Sequence, residues 1–115
     1  MLENGKYYCF FVCKKNTSEG DSFIYYINTH ETILWTAIRQ RKDKKIIALI
    51  FEKDDNLLID LKLTPEHGDE VREYDEVFPG YHMNKTHWKT VRVNNTSLPF
   101  EGLVKMIEES DKLTK

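Results

Sequence analysis

The order of apolar and polar residues in the second half of the chain predicts a series of strands. Ile46–Phe51 is an apolar run that ends in the turn-prone sequence EKDDN, which indicates a buried strand and a hairpin loop. In Asn56–Leu63, apolar residues alternate with Asp60 and Lys62, a pattern typical of a strand with one solvent-exposed face. Upstream, Trp35–Arg39 and the polar RKDKK that follows predict another strand, hairpinned to Ile46–Phe51.

A short helix is predicted after the third of these strands. Thr64 suits the N-cap, Pro65 suits the first helical position, and acidic residues occupy the first turn. The helix is expected to carry Val71 and Tyr74 inward and to end before Pro79.

A further strand and a C-terminal helix complete the predicted elements. His87–Val93 reads as a strand in which Trp88, Thr90 and Arg92 share one face. Pro99 opens the helix, whose apolar residues recur at positions i, i+3, i+4 and i+7: Phe100, Leu103, Val104 and Ile107. The first 35 residues are ambiguous, although the aromatic run YYCFFVC favours a strand by propensity.

Length and composition are those of one folded domain over residues 1–115. Hydrophobic residues make up 40% and charged residues 31% of the chain, which argues against disorder. The sequence contains no apolar run of the length needed to span a bilayer, and MLENGK does not resemble a signal peptide. Two cysteines without secretory features indicate reduced thiols, so we expect a cytoplasmic protein that does not bind a membrane.

The net charge of −2 conceals a strong segregation of charge along the chain. Residues 36–50 contain five cations and one anion, for a net +4, and residues 78–95 contain three cations and no acid. Residues 51–77, which separate them, contain three cations and ten anions, for a net −7. If folding brings the two basic segments together, a cationic surface forms despite the negative total.

The segment YHMNKTHWK combines cationic, aromatic and amide side chains without an acid. Cations neutralise phosphate and aromatic rings stack on bases, so this composition suits nucleic acid. The candidate nucleic-acid-binding residues are Arg39, Arg41, Lys45, Tyr81, His82, Asn84, Lys85, His87, Trp88, Lys89 and Arg92. The structural alternative is equally weighted, because buried His, Asn and Trp side chains often only support a loop.

Two Trp–Arg pairs, at Trp35 with Arg39 and at Trp88 with Arg92, are each separated by four residues. Residues i and i+4 of a strand lie on the same face. In a two-layer fold one face of the sheet carries no helices, and both pairs are predicted to lie there as a binding surface.

Metal, cofactor and catalytic sites are not expected. His82 and His87 are five residues apart and Cys9 and Cys13 are four apart, neither of which is a usual zinc spacing. The five glycines form no phosphate-binding loop, and a His82 or His87 base would need a pocket. We therefore expect a binding module rather than an enzyme.

The segment PGYHMNKTHWKTV resembles the signature of the MmcQ/YjbR family. The resemblance continues in AIRQRKDKKIIALI, LKLTPE and LPFEGLVKMIEES, whereas KKIIALI lacks the aromatics that relatives usually have there. It implies an α+β two-layer sandwich of the CyaY-like or secretion-chaperone-like type, an antiparallel sheet with helices packed on one face, and DNA binding. It also implies a helix near residues 4–15 and a following loop within CFFVCKKNTSEGDSF, against the strand that propensity favours.

Three functions follow as alternatives. A nucleic-acid-binding module would show weak, salt-sensitive affinity. A protein-interaction module would use the uncovered sheet face or an edge strand and would tolerate salt. A small-molecule binder or enzyme would need a concave pocket at the His82–His87 loop.

Overall fold

The protein forms a six-stranded antiparallel sheet with two helices on one of its faces. The computed structural model describes residues 20–25, 35–53, 55–80 and 84–115, and only the backbone of residues 20–25, 35 and 36. The strands are β1 Gly20–Tyr25, β2 Trp35–Gln40, β3 Ile46–Lys53, β4 Asn56–Lys62, β5 Val77–Pro79 and β6 Trp88–Arg92. The helices are α1 Pro65–Val71 and α2 Phe100–Thr114. The sheet order is β1-β2-β3-β4-β6-β5, which confirms the α+β class.

The main core lies between the sheet and the two helices. Ile50, Ile59 and Val91 are successive partners across β3, β4 and β6, and all three are fully buried. Met106 and Ile107 of α2 belong to the same cluster. Each such side chain contributes about 1.5–3 kcal/mol when it leaves water, so this layer carries most of the stability.

The centre of the opposite sheet face is also buried. Leu49, Phe51 and Leu58 form a second cluster there with Ala37, and Ile46 packs against it. The prediction that one face of the sheet is uncovered is therefore wrong for the middle strands. Because both faces of β4 are covered, the expectation of a half-exposed strand at Asn56–Leu63 is wrong as well.

Helix α1 begins as predicted and, as predicted, is short and ends before Pro79. The Thr64 hydroxyl accepts a hydrogen bond from the His67 N–H at 3.3 Å, and Pro65 occupies the first turn. Val71 packs in the core, whereas Tyr74 lies beyond the helix end and is 41% exposed, so its predicted inward orientation is wrong. A single turn past Gly68 is too short to carry Tyr74 back to the core.

Helix α2 packs its C-terminal two thirds against β3 and β4. Leu103 and Ile107 are buried as predicted, together with Met106, and Val104 is partly buried. Phe100 is 52% exposed, in contrast to its predicted core position. The buried residues of the helix therefore begin at Leu103, one turn after its start.

Two strands were not predicted. β1 includes the GDSF segment that the family resemblance assigned to a loop, and it pairs with β2 along its whole length. β5 has only three residues and contains Pro79, which is tolerated because β5 is an edge strand. The question of a helix or a strand at Tyr7–Cys13 lies outside the described residues.

Ser110 of α2 joins the sheet at an irregularity in β3. The register shifts between Ile38 and Arg39, so the Ile47 carbonyl does not follow the regular ladder. The Ser110 hydroxyl donates to this carbonyl at 2.5 Å and accepts from the Lys62 N–H at 3.0 Å. One buried side chain thus satisfies a backbone group on each of two strands.

We expect Ser110→Ala to lower the free energy of unfolding by about 2 kcal/mol, since it leaves two buried backbone groups without this partner. Urea denaturation measures the change. Ser97→Ala is the matched control: the Ser97 hydroxyl accepts from the Asp75 N–H at 2.8 Å at an exposed site, where water replaces it. Equal losses in the two variants would contradict this role of Ser110.

Candidate functional site

The strand order brings the two basic segments to the same end of the sheet. The β2–β3 hairpin closes with the Gln40 N–H donating to the Lys45 carbonyl, and β6 starts beside the end of β4, with Lys62 opposite Trp88. Neighbouring strands are about 4.8 Å apart, so the hairpin and the start of β6 are separated by roughly 10–15 Å. We call this region the basic end; its cations are Arg39, Arg41, Lys42, Lys44, Lys45, Lys62 and Lys85.

The C-terminus of α2 lies at the basic end as well. The Gln40 side-chain amide donates to the Asp111 carboxylate at 2.8 Å and to the Thr114 hydroxyl at 3.1 Å, and all three residues are buried. This network holds Lys112 and Lys115 near the hairpin. Asp111 also lies 3.6 Å from the Lys115 amine, so its charge is compensated.

The hairpin residues 41–45 are exposed, and Lys45 balances the negative charge of Asp43. The Asp43 carboxylate accepts from the Lys45 N–H at 3.2 Å and lies 3.7 Å from the Lys45 amine. The Arg39 guanidinium donates to the Lys44 carbonyl at 2.8 Å, and Arg41 lies in the exposed turn. Three predicted site residues, Arg39, Arg41 and Lys45, therefore meet here.

Asn84, Lys85 and Lys89 organise the loop before β6. The Asn84 side-chain oxygen accepts a hydrogen bond from the Thr86 N–H at 2.9 Å, and the main-chain carbonyl of Asn84 accepts one from the Trp88 N–H. The Lys85 amine donates to the Gly80 carbonyl at 3.1 Å, and the Lys89 amine donates to the Lys85 carbonyl at 2.7 Å. These side chains therefore support the loop, which the structural alternative anticipated for Asn84 but not for the two lysines, while His87 is exposed.

Trp88 is not available as a stacking platform. It is 8% exposed, and its Cβ and carbonyl lie against Gly80, whose N–H donates to the Trp88 carbonyl at 2.7 Å. The predicted sheet-face surface therefore does not form around Trp88. The Trp35 side chain and residues Tyr81 and His82 lie outside the described part of the structure.

Lys89 and Arg39 lie on opposite faces of the sheet. Lys89 pairs with Leu61, a member of the core beneath the helices, whereas Arg39 pairs with Ile46 on the other face. Lys89 is 4% exposed. Burial lowers the pKa of its amine, and nearby Arg72 lowers it further. Lys89 thus belongs to the helix layer and not to a surface shared with Arg39.

Arg92 lies at the far end of β6, away from the other predicted residues. Its guanidinium is 2.9 Å from the Glu76 carboxylate and 5.5 Å from the centre of the Phe78 ring. Its register partner is Leu58, four residues along the strand from Lys62. Arg92 and Trp88 share a face, as predicted, but Arg92 does not join the basic end.

The alternation in β4 led to the expectation that Asp60 faces solvent, and this is wrong. Asp60 is fully buried, and its carboxylate accepts a hydrogen bond from the Thr90 hydroxyl. Among the described residues, its second carboxylate oxygen has no hydrogen-bond partner. Burial raises the pKa of Asp60 from 3.8 to about 7, against the opposing effects of Thr90 and Lys85.

A groove of 680 Å³ between α1 and α2 was not predicted from the sequence. It is lined by His67, Glu70, Val71, Glu73, Tyr74, Leu98, Pro99, Glu101, Gly102 and Lys105. At one end the His67 Nδ1 lies 2.6 Å from the Glu109 carboxylate. Tyr74, which lines the groove, was visible in the sequence as a large aromatic residue. It was interpreted as a core residue because the sequence does not show where α1 ends.

In the described ranges, His, Cys, Asp and Glu side chains do not gather in threes as a metal ion requires. No described helix combines the length and the apolar character that a bilayer-spanning helix needs.

The family model for YjbR matches residues 26–112. The chain belongs to the YjbR family. The uncharacterized protein YyaQ of Bacillus subtilis is 38% identical over 58 residues, which is 50% of this chain and 48% of YyaQ. The uncharacterized protein YjbR of Escherichia coli K12 is 29% identical over 77 residues, 66% of this chain and 64% of that protein. The chain thus spans about half to two thirds of the length of these two YjbR-family relatives.

Solved structures agree with the YjbR-family fold. A crystal structure of a protein from Pseudomonas syringae has a TM-score of 0.74 and 26% identity, covering 95% of this chain and 97% of the other. The crystal structure of Deinococcus radiodurans protein DR2400, with a DUF419 domain, has a TM-score of 0.71 and 27% identity. That match covers 91% of this chain and 74% of DR2400.

Proposed function

We propose that this YjbR-family domain binds nucleic acid, with DNA as the first ligand to test, through the phosphate backbone at the basic end. The observation that carries the proposal is the meeting of the hairpin 41–45, Lys62 and the loop at Lys85 at one end of the sheet. Phosphates repeat along a strand at spacings that a cluster of exposed cations can follow. The proposal is for a binding module without a catalytic step.

The negative charges at the basic end are balanced by neighbouring lysines, which supports the proposal of phosphate binding there. Asp43 and Asp111 are the acids of the hairpin and the adjacent helix end, and both lie beside lysines. Helix α1 starts at the same end and adds Glu66 and Asp69 on its exposed side, which confines the positive surface to the sheet side. We therefore expect a small contact with few phosphates and weak affinity at physiological salt.

The binding mode differs from the sheet-face mode expected from the sequence. Because Trp88 is buried, base stacking on its ring does not contribute. Contacts from lysine and arginine to phosphate carry little sequence information. The proposed activity is accordingly tolerant of sequence and strongly dependent on salt.

The test is fluorescence anisotropy with labelled duplex and single-stranded DNA over a series of salt concentrations. Lys42→Ala with Lys85→Ala takes one cation from each basic segment, and we expect about tenfold weaker binding and a salt slope reduced by about 1.8. Lys105→Ala is the control, since it removes one cation from the groove between the helices and none from the basic end. If the double variant and the control bind DNA equally, the proposal is wrong.

A further inference from the structure

We propose that the groove between α1 and α2 binds a basic peptide segment of a partner protein. This proposal is independent of nucleic-acid binding, because it concerns the helix layer and not the basic end. Its grounds are a groove with an apolar floor, an exposed aromatic ring and an excess of carboxylates at the rim.

The groove has a preformed apolar floor. Val71 and Leu98 are buried beneath it, and Pro99 and the ring of Tyr74 extend the apolar surface. A hydrogen bond near Tyr74 joins the segment after α1 to the segment before α2: the Thr96 hydroxyl donates to the Asp75 carbonyl at 2.6 Å. A ligand therefore meets a shape that exists before binding, which lowers the entropic cost of association.

The charges at the rim select a cationic ligand. Of the described lining residues, Glu70, Glu73 and Glu101 are acidic and exposed, and Lys105 is the one lysine or arginine. Three carboxylates and one amine give a net charge of −2 with His67 neutral. This charge opposes the approach of nucleic acid and favours lysine or arginine side chains.

A peptide fits the groove better than a small cation does. Lysine and arginine have long apolar stems that cover a floor such as Val71 and Leu98 while the charged group reaches the rim. The exposed ring of Tyr74 offers a face for a guanidinium. Phe100, 52% exposed in the first turn of α2, adds an apolar contact beside Glu101 for the rest of the segment.

The test is fluorescence anisotropy with a labelled peptide of about ten residues in which Arg and Leu alternate, a length that can follow a groove. Glu70→Gln with Glu73→Gln is expected to weaken binding about tenfold, at about threefold for each carboxylate. Tyr74→Ala is expected to weaken it about threefold. Lys105→Gln is expected to tighten it about threefold, a gain that misfolding does not produce.

The controls separate this site from the basic end. Asp55→Asn removes a carboxylate from the exposed β3–β4 turn and should leave peptide affinity unchanged. Lys42→Ala with Lys85→Ala should also leave it unchanged while DNA binding weakens, so that either proposal can fail alone. The groove proposal fails if Lys105→Gln does not tighten binding, or if a peptide with Glu in place of Arg binds equally well. It also fails if sedimentation shows that the groove is filled by the 41–45 hairpin of a second copy, an association that Lys42→Glu would abolish.

Discussion

Asp60→Asn is expected to remove a pH dependence of stability worth about 4 kcal/mol and to stabilise the protein at alkaline pH. The pKa of Asp60 rises from 3.8 to about 7 because the carboxyl is fully buried. At 1.36 kcal/mol per pKa unit, this difference corresponds to about 4 kcal/mol. The change is large because burial removes the carboxylate from water, and the hydrogen bond from Thr90 offsets only part of this cost.

The direction follows from proton linkage. Below about pH 4 the carboxyl is neutral in both states and costs nothing. Between about pH 4 and pH 7 the unfolded chain has released this proton while the folded protein retains it, so stability falls as the pH rises. Above about pH 7 the full cost of the buried charge persists.

The amide introduced by Asp60→Asn keeps an oxygen for the Thr90 hydroxyl but places an NH₂ group where the second carboxylate oxygen lies, a position with no hydrogen-bond partner in the described part of the chain. That group costs about 1–3 kcal/mol, so we expect a net gain of about 2 kcal/mol at pH values above 7 and a loss near pH 4. Urea denaturation across this pH range measures both. Asp55→Asn, at an exposed turn, is the control. A difference between wild type and Asp60→Asn that does not vary with pH would exclude this account.

Gly80→Ala is expected to destabilise the protein by about 3 kcal/mol, at the upper end of the cost of overpacking. A Cβ at Gly80 would lie 2.7 Å from the Trp88 Cβ and 2.8 Å from the Trp88 carbonyl oxygen. The second contact is with backbone, which also accepts the Gly80 N–H. The change therefore separates β5 from β6 and disturbs the loop that Lys85 holds to the Gly80 carbonyl.

Gly68→Ala is a matched control for this prediction. Its Cβ would meet the Lys89 Cε at 3.0 Å, the flexible part of a side chain, and alanine favours the helix by about 1 kcal/mol. We expect a stability close to that of the wild type. Thermal and urea unfolding of both variants give the comparison, and similar losses would show that the close approach at Gly80 does not explain its cost.

The local signals in the sequence were sufficient for several elements. The cap at Thr64, the hairpin after β2 and a strand over His87–Val93, observed at Trp88–Arg92, were predicted because each depends on neighbouring residues. β1 was missed because the family resemblance assigned the GDSF segment to a loop, although Phe23, Ile24 and Tyr25 favour a strand. β5 was missed because it has only three residues. Tyr74 and Phe100 were wrongly predicted to lie in the core, because the spacing of apolar residues does not show which parts of a helix contact the sheet.

For the candidate site, the sequence identified the two basic segments but not the surface that they form. Strand order decided that the hairpin and the Lys85 loop share one end, and that Arg92 lies at the other. Lys89 and Trp88 belong to the same YHMNKTHWK segment as exposed residues such as His87. Only the packing of the folded chain shows that both are buried. Composition describes which groups are available, whereas burial decides which of them a ligand can reach.

The sequence by itself determined the fold class, the family signature, the start of each helix and the segregation of charge, since these depend on residue type and short-range order. The tertiary structure alone decided the burial of Asp60, the support of the loop by Asn84 and Lys85, and the groove between the helices. The burial of Asp60 and the groove arise where segments distant along the chain meet, and such contacts leave no periodic signal in either segment. The loop contacts of Asn84 and Lys85 are short-range, but they form in an irregular segment that has no periodicity to reveal them.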